Sequence, residues 1–269
     1  MLQFHKVSGV FSMDEKQLLQ DLNLFVAEAV KLIRSNHNEM TVLSKTNRRD
    51  LVTNVDKLVE RKIIQLIGER YPTAKIVSEE YHANSVDSLS GVVFFVDPID
   101  GTMNFVQQYD HFAVMIGVYI DGEPFGGIIA DVTNETNYYG SKNLGIFKNG
   151  EKMSPVLDKG IGEGLISVSS YFVLADRFSV QELIKRSLGL RILGSAGIEF
   201  TEIFDQKQIA YISHLQPWDL AAGRFIAESL GLRVTTIDGG APSMLKSENV
   251  IISTKQLHET AMEVLHGKL

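Results

Sequence analysis

The chain has 269 residues and no cysteine, and its 33 Asp and Glu outnumber 26 Lys and Arg, for a formal charge of -7. Disulfides, thiolate metal sites, iron–sulfur clusters and cysteine nucleophiles are excluded, and a nucleic-acid binder, which needs clustered cations to displace counterions, is not expected. A hydrophobic share of 44% over this length supports a substantial core, while no apolar run reaches the roughly 18 residues of a membrane span.

The first residues show no basic leader followed by an apolar core, so no secretory signal is expected and a cytoplasmic protein is the default reading. Ser12 and Glu15 make a capping-box pattern, and Leu18, Leu22, Phe25, Val26, Ala29 and Ile33 then recur at helical spacing to about Arg34. Residues 35–50 are polar and aperiodic and read as a loop. Thr53 and Asn54 can cap a second helix carrying Val59, Ile63, Ile64 and Ile67, stopped before Pro72. From Lys75 the period changes, and residues 75–78, 91–96, 111–120, 123–132 and 135–140 read as strands of a largely antiparallel sheet. Asp121-Gly122 and Asn149-Gly150 are hairpin-turn signals beside them.

After Pro155 strands alternate with helices: strands at 165–170, 191–193, 209–213, 233–237 and 249–253, and helices at 179–187, from Ser195, at 217–230 and from Thr254. Layered helices and sheets follow, with a mixed sheet in the second half. The chain reads as one domain, 1–269, with lobes of about 1–155 and 156–269.

Carboxylates recur at the ends of these elements. Asp97-Pro98-Ile99-Asp100-Gly101-Thr102 follows an apolar strand; Pro98 blocks the sheet ladder there, and two acids emerge three positions apart. Ile99 offers a backbone carbonyl, and the amides of Gly101 and Thr102 can face an anion. Carboxylates, a carbonyl and water are the ligands that Mg²⁺ prefers. The plainer reading of this hexapeptide is a tight turn. Glu79 and Glu80 close another strand, Asp56 stands near the start of the second helix, and Asp219 follows Pro217-Trp218 at the start of a third. Each alone reads as a solvated or helix-dipole acid; together they leave unexplained why so many gather around one glycine turn.

At these residues the sequence resembles the inositol monophosphatase family of Mg²⁺-dependent, lithium-sensitive phosphomonoesterases. DPIDGT (97–102) and WDLAAG (218–223) match its two main motifs, and DLVTNVD (50–56), SEE (78–80) and GSAG (194–197) match minor ones in order, over essentially the whole chain. The resemblance implies an α/β layered sandwich (α-β-α-β-α) and a homodimer. It implies that Glu79, Asp97 and the Ile99 carbonyl hold a first Mg²⁺, that Asp97, Asp100 and Asp219 hold a second, and that Glu79 with water holds a weaker third. Asp56 and Thr102 would orient the attacking water, Glu80 would support the metal–water network, and Gly101 and Thr102 would bind phosphate. Lys45 falls at a mobile-loop lysine, and Ser195 and Ala196 at the leaving-group side. The substrate is then a small phosphorylated metabolite, with no membrane or nucleic acid as partner.

One departure concerns substrate choice. Inositol-specific members carry a glutamate seven positions before the WD aspartate, where this chain has Ile212. A broader polyol- or sugar-phosphate phosphatase is therefore expected, with fructose 1,6-bisphosphate a plausible substrate. The alternatives are a nucleotide-directed phosphatase acting on adenosine 3′,5′-bisphosphate or NADP, and a catalytically idle metal- and phosphate-binding regulator. No histidine has zinc spacing.

Overall fold

Chain order in the structure, a computed structural model, is described for residues 6–7, 10–11, 13–44, 51–80 and 86–266. A two-stranded pair, β1 (Lys6–Val7) and β2 (Val10–Phe11), precedes α1 (Glu15–Asn36). The cap of α1 is Asp14, whose carboxylate accepts the N–H groups of Lys16 at 3.0 Å and Gln17 at 3.3 Å. Ser12, the expected cap, lies outside the described residues.

The stretch expected as a loop contains β3 (Val42–Ser44), which pairs antiparallel with β4 (Leu51–Thr53). All three β3 residues are exposed, so no one-sided hydrophobic alternation marks the strand in the sequence. Helix α2 (Asn54–Arg70) starts as expected at Thr53, and Asp56 closes a capping box with it.

Seven strands make the first sheet: β5 (Lys75–Ser78), β6 (Val92–Asp100), β7 (Ala113–Ile120), β8 (Glu123–Asp131), β9 (Thr136–Ser141), β10 (Gly145–Lys148) and β11 (Glu151–Lys152). They lie in order β11-β10-β9-β8-β7-β6-β5, antiparallel except for the β5–β6 pair. The short helix α3 (Thr102–Gln107) joins β6 to β7. Both hairpin signals hold: Asp121-Gly122 turns between paired Ile120 and Glu123, and Asn149-Gly150 between Lys148 and Glu151.

The second half supplies β12 (Leu165–Val168), α4 (Ser170–Leu174), α5 (Val180–Arg186), β13 (Gly189–Arg191), α6 (Ala196–Phe204), β14 (Ala210–Leu215), α7 (Pro217–Ser229), β15 (Arg233–Thr236), β16 (Glu248–Ser253) and α8 (Lys255–Leu265). Its five strands run β13-β12-β14-β16-β15, a mixed sheet in which β12 is parallel to both neighbours.

Period-two alternation of apolar residues builds the layers. Phe94, Val96, Val114 and Ile116 pack with Leu22, Phe25, Val59 and Ile63 of α1 and α2. The alternate residues Val93, Phe95 and Met115 join Phe200, Ala221 and Phe225 of α6 and α7, which also meet Tyr211, Val250 and Ile252 of the second sheet. The far face of that sheet, with Ile166, Ile212 and Ile251, packs on Leu183 of α5 and Leu257 and Ala261 of α8. The result is the α-β-α-β-α sandwich, in which α6 and α7 are the middle layer.

Pro98 does not end its strand. The β6–β7 ladder pairs Asp97 with Met115 and next Asp100 with Ala113, so three steps on β6 face two on β7. This is a bulge, where the missing proline N–H interrupts no ladder bond.

Candidate active site

In a regular strand, residues three apart point to opposite faces. The bulge removes that mismatch and turns Asp97 and Asp100 together toward the α6–α7 layer. Asp219 enters from the first turn of α7, where Pro217 is the first helical residue and the Gln216 N–H donates to Asp219 Oδ2 at 3.0 Å. One carboxylate oxygen from each of Asp97, Asp100 and Asp219 lies within 4.8 Å of the others. Asp97 and Asp100 are buried and Asp219 is half-buried.

Asp100 is held most tightly. Ser195, the cap of α6, donates its hydroxyl to the carboxylate, and the amides of Ala196 and Gly197 donate at 3.0 and 2.7 Å. A helix N-terminus thus cradles an anion with amides that have no intrahelical acceptor. The approach requires glycine at 197, since a Cβ there would stand 2.6 Å from Ala113 Cβ and 3.1 Å from Asp100 Oδ2. Gly101 is likewise demanded by its turn: its φ is +87°, and a Cβ would meet Ser195 Cβ at 2.9 Å.

Asp56 and Thr102 come together as expected. Asp56 accepts from the Thr53 N–H at 3.0 Å and from the Thr53 hydroxyl. The Thr102 hydroxyl lies 3.2 Å from Asp56 Oδ1 and 3.1 Å from the Ile99 carbonyl. Burial raises the Asp56 carboxyl above its ordinary range, opposed by the hydrogen bonds from Thr53 and Thr102.

Burial also raises Asp97 well above the carboxylate range, and the charges of Glu79, Asp100 and Asp219 push it further. Burial first and Asp100 second push Asp219 up to about 8. Asp100 is raised by burial, although its three donors work the other way. Among the described residues no lysine, arginine or histidine pairs with any of these three acids. Buried like charges with all-oxygen donors, unpaired with a cation among the described residues, fit a hard divalent cation such as Mg²⁺.

Glu79 stands near enough to act on Asp97 and Asp219 but is not one of the three converging carboxylates. The Glu80 N–H is anchored by Glu60 Oε1 of α2 at 2.8 Å. Glu60, a buried acid, was invisible to motif reading because it sits mid-helix among solvent-facing charges. Lys45 lies outside the described residues.

A cavity of about 260 Å³ opens beside Asp100 and Asp219, lined among others by Ser169, Ile192, Ser195, Ala196, Ser213 and His214. One expectation, that for Ile212, is corrected here. Ser195 and Ala196 do reach the cavity, but the Ser195 hydroxyl proton and the Ala196 amide are committed to Asp100. Ile212 does not line it: strand alternation in β14 turns Tyr211 and Ser213 toward the cavity and Ile212 into the apolar layer against α5 and α8. Counting back seven residues from Asp219 therefore lands on the wrong face of the strand.

A sequence model of the Inositol monophosphatase family matches residues 14–268. The chain is 36% identical over 244 residues to the inositol-1-monophosphatase of Bacillus subtilis (strain 168), covering 88% of this chain and 92% of that one. It is 30% identical over 227 residues to the fructose-1,6-bisphosphatase/inositol-1-monophosphatase of Thermotoga maritima, covering 84% and 86% of the two chains. Among solved structures, an IMPase/NADP phosphatase complexed with NADP and Ca²⁺ superimposes with a TM-score of 0.87 at 28% identity, over 94% of this chain and 96% of that one.

Proposed function

The chain belongs to the inositol monophosphatase family and is a phosphoric monoester hydrolase, and on that premise we propose that Asp97, Asp100 and Asp219, with Glu79 and the Ile99 carbonyl, hold two to three Mg²⁺ ions for hydrolysis of small phosphorylated polyols or sugars. The observation that carries this reading is the convergence of three carboxylates, unpaired with any cation among the described residues, at the mouth of a cavity. Bound there, Mg²⁺ supplies the positive charge that draws a phosphate dianion into an acidic site and stabilises charge on attacking and leaving oxygens.

The chain's own groups perform the rest. Water is held by the Thr102 hydroxyl and Asp56, whose carboxyl burial raises above its ordinary range and so favours proton uptake. Its oxygen bonds to phosphorus, its proton passes to Asp56, the ester P–O bond breaks, and the departing alkoxide takes a proton from solvent. The amides of Gly101 and Thr102 bind phosphate oxygens. Glu80, anchored through its backbone to Glu60, supports the water network from the β5 end.

Short side chains on the leaving-group side, Ser169 and Ser213, beside an exposed His214, favour a broad substrate range over a single polyol. The similarity to an IMPase/NADP phosphatase supports a second reading in which a nucleotide phosphate is accepted. One catalytic domain, a homodimer, a cytoplasmic location and competition by Li⁺ for a Mg²⁺ position complete the proposal. Among the described residues no helix is long and apolar enough to cross a membrane.

The test is phosphate release from inositol 1-phosphate, fructose 1,6-bisphosphate, glycerol 2-phosphate, adenosine 3′,5′-bisphosphate and NADP, with Mg²⁺, with EDTA and with Li⁺. Mg²⁺-dependent, Li⁺-inhibited release from the polyol and sugar esters is expected. Silence across the panel from folded, Mg²⁺-binding protein would replace the enzyme with a binding protein.

A further inference from the structure

The link between β13 and α6 is fixed at one residue. The Leu193 N–H donates to Glu199 Oε1 at 2.7 Å, and the Leu193 carbonyl accepts from Asn104 Nδ2 at 2.7 Å. The same Asn104 nitrogen gives its other hydrogen to the His111 carbonyl at 2.9 Å. One buried amide on α3 therefore ties the turn before β7 to the link before α6. His111 has a φ of +52°, a left-handed conformation costly for a residue with a Cβ, and its carbonyl is one that Asn104 holds.

Two residues beyond Leu193 the chain reaches Ser195, where the hydroxyl and the next two amides grip Asp100. Glu199 lies one turn along the same helix, buried and steadied by Gln208 Nε2 at 3.2 Å. The bonds of Asn104 and Glu199 run to the Leu193 backbone, not to the converging carboxylates.

We propose that Asn104 and Glu199 are positioning residues: by holding the backbone N–H and carbonyl of Leu193 they set the N-terminus of α6 where its donors orient Asp100 toward Mg²⁺. This rests on the metal-site reading above. Groups that orient a metal ligand without touching the metal typically change its affinity by about 10–100-fold when removed.

The experiment is calorimetric titration of Mg²⁺ into wild-type, Asn104→Ala, Glu199→Leu and Glu199→Gln proteins, with thermal melts to confirm folding and with kcat and KM for inositol 1-phosphate as functions of Mg²⁺. Asn104→Ala and Glu199→Leu should each weaken Mg²⁺ binding by about tenfold or more. At saturating Mg²⁺ the substrate KM of Asn104→Ala should stay near wild type. Glu199→Gln should keep wild-type affinity, because its amide oxygen still accepts from Leu193 and Gln208, whose Oε1 lacks a hydrogen-bond partner among the described residues, can flip to receive the new N–H. Folded Asn104→Ala and Glu199→Leu proteins with unchanged Mg²⁺ affinity would overturn the proposal, as would equal weakening by the Gln and Leu variants. Should a variant fail to fold, amide exchange of the wild type decides: slower exchange at Leu193 and Gly197 on adding Mg²⁺ supports the clamp, and unchanged exchange overturns it. A wild type that neither binds Mg²⁺ nor releases phosphate removes the metal-site reading itself.

Discussion

The two sides of the site are built differently. On the acidic side every key carboxylate is fixed by backbone: a bulge turns Asp97 and Asp100 to one face, the α6 amides hold Asp100, and capping contacts hold Asp56 and Asp219. On the cavity side the lining mixes serines and an exposed histidine with Ile192, Tyr211 and Leu215, and His214 is anchored through a side-chain contact to Asn249 at 2.9 Å. The chemistry is set by secondary structure that few substitutions can move. On the proposed reading, substrate choice rests on side chains that can change without disturbing the fold.

The strongest way to break this contrast is to remove an acid. Asp97→Asn or Asp100→Asn should bring Mg²⁺-dependent phosphate release to background while the protein still melts cooperatively; substantial residual turnover in Asp100→Asn would contradict its assignment. Next comes metal removal. Without metal, Asp97, Asp100 and Asp219 bind protons more tightly folded than unfolded, with Asp219 raised to about 8. The folded protein thus carries more protons than the unfolded chain between about pH 4 and pH 8, so this stabilisation is complete below about pH 4 and is lost as pH rises through the folded values. The melting temperature in EDTA should fall across that window, and Mg²⁺ should restore it most at the upper end. A metal-free melting temperature that climbs toward pH 8 would show that the acids are not in like-charge contact.

A gentler probe is Gly197→Ala. The added Cβ meets Ala113 Cβ at 2.6 Å, so the helix start must shift, at a cost of about 1–3 kcal/mol in a thermal or urea melt. Because the same Cβ would crowd Asp100, the variant should also need more Mg²⁺ for half-maximal rate. On the cavity side, Ser213→Ala and His214→Ala should reorder the substrate panel while leaving Mg²⁺ dependence at wild type, measured as kcat/KM ratios. The smallest effect belongs to Ile212→Val: about 0.5–1.5 kcal/mol of stability for a buried methylene and no change in KM. A shifted KM would return Ile212 to the substrate side.

Much of the acidic side was legible in the sequence because most of its acids stand near element boundaries, where Gly101, Thr53 and Pro217 mark ends and turns. The change of apolar period near Lys75 and again after Pro155 pointed to layered helices and sheets, whereas the five-layer order followed only from the resemblance. Three features were not legible. Whether residues 97 and 100 face together depends on a bulge, and a bulge leaves no periodicity to read. The direction of Ile212 depends on the register of β14 against β12 and β16, which spacing from Asp219 does not encode. Asn104, Glu199 and Glu60 act through partners distant in sequence or in mid-helix positions that look like ordinary solvated polar residues until the chain is folded.

The central claim is that the carboxylates gathered by the β6 bulge hold the catalytic divalent ions. Crystals soaked in Mn²⁺, in a protein shown to release phosphate with Mn²⁺, test it through anomalous diffraction. The account predicts anomalous peaks among the oxygens of Asp97, Asp100 and Asp219, with one peak lost in Asp100→Asn. Peaks confined to other acids, or none in an enzyme that turns over, would contradict it.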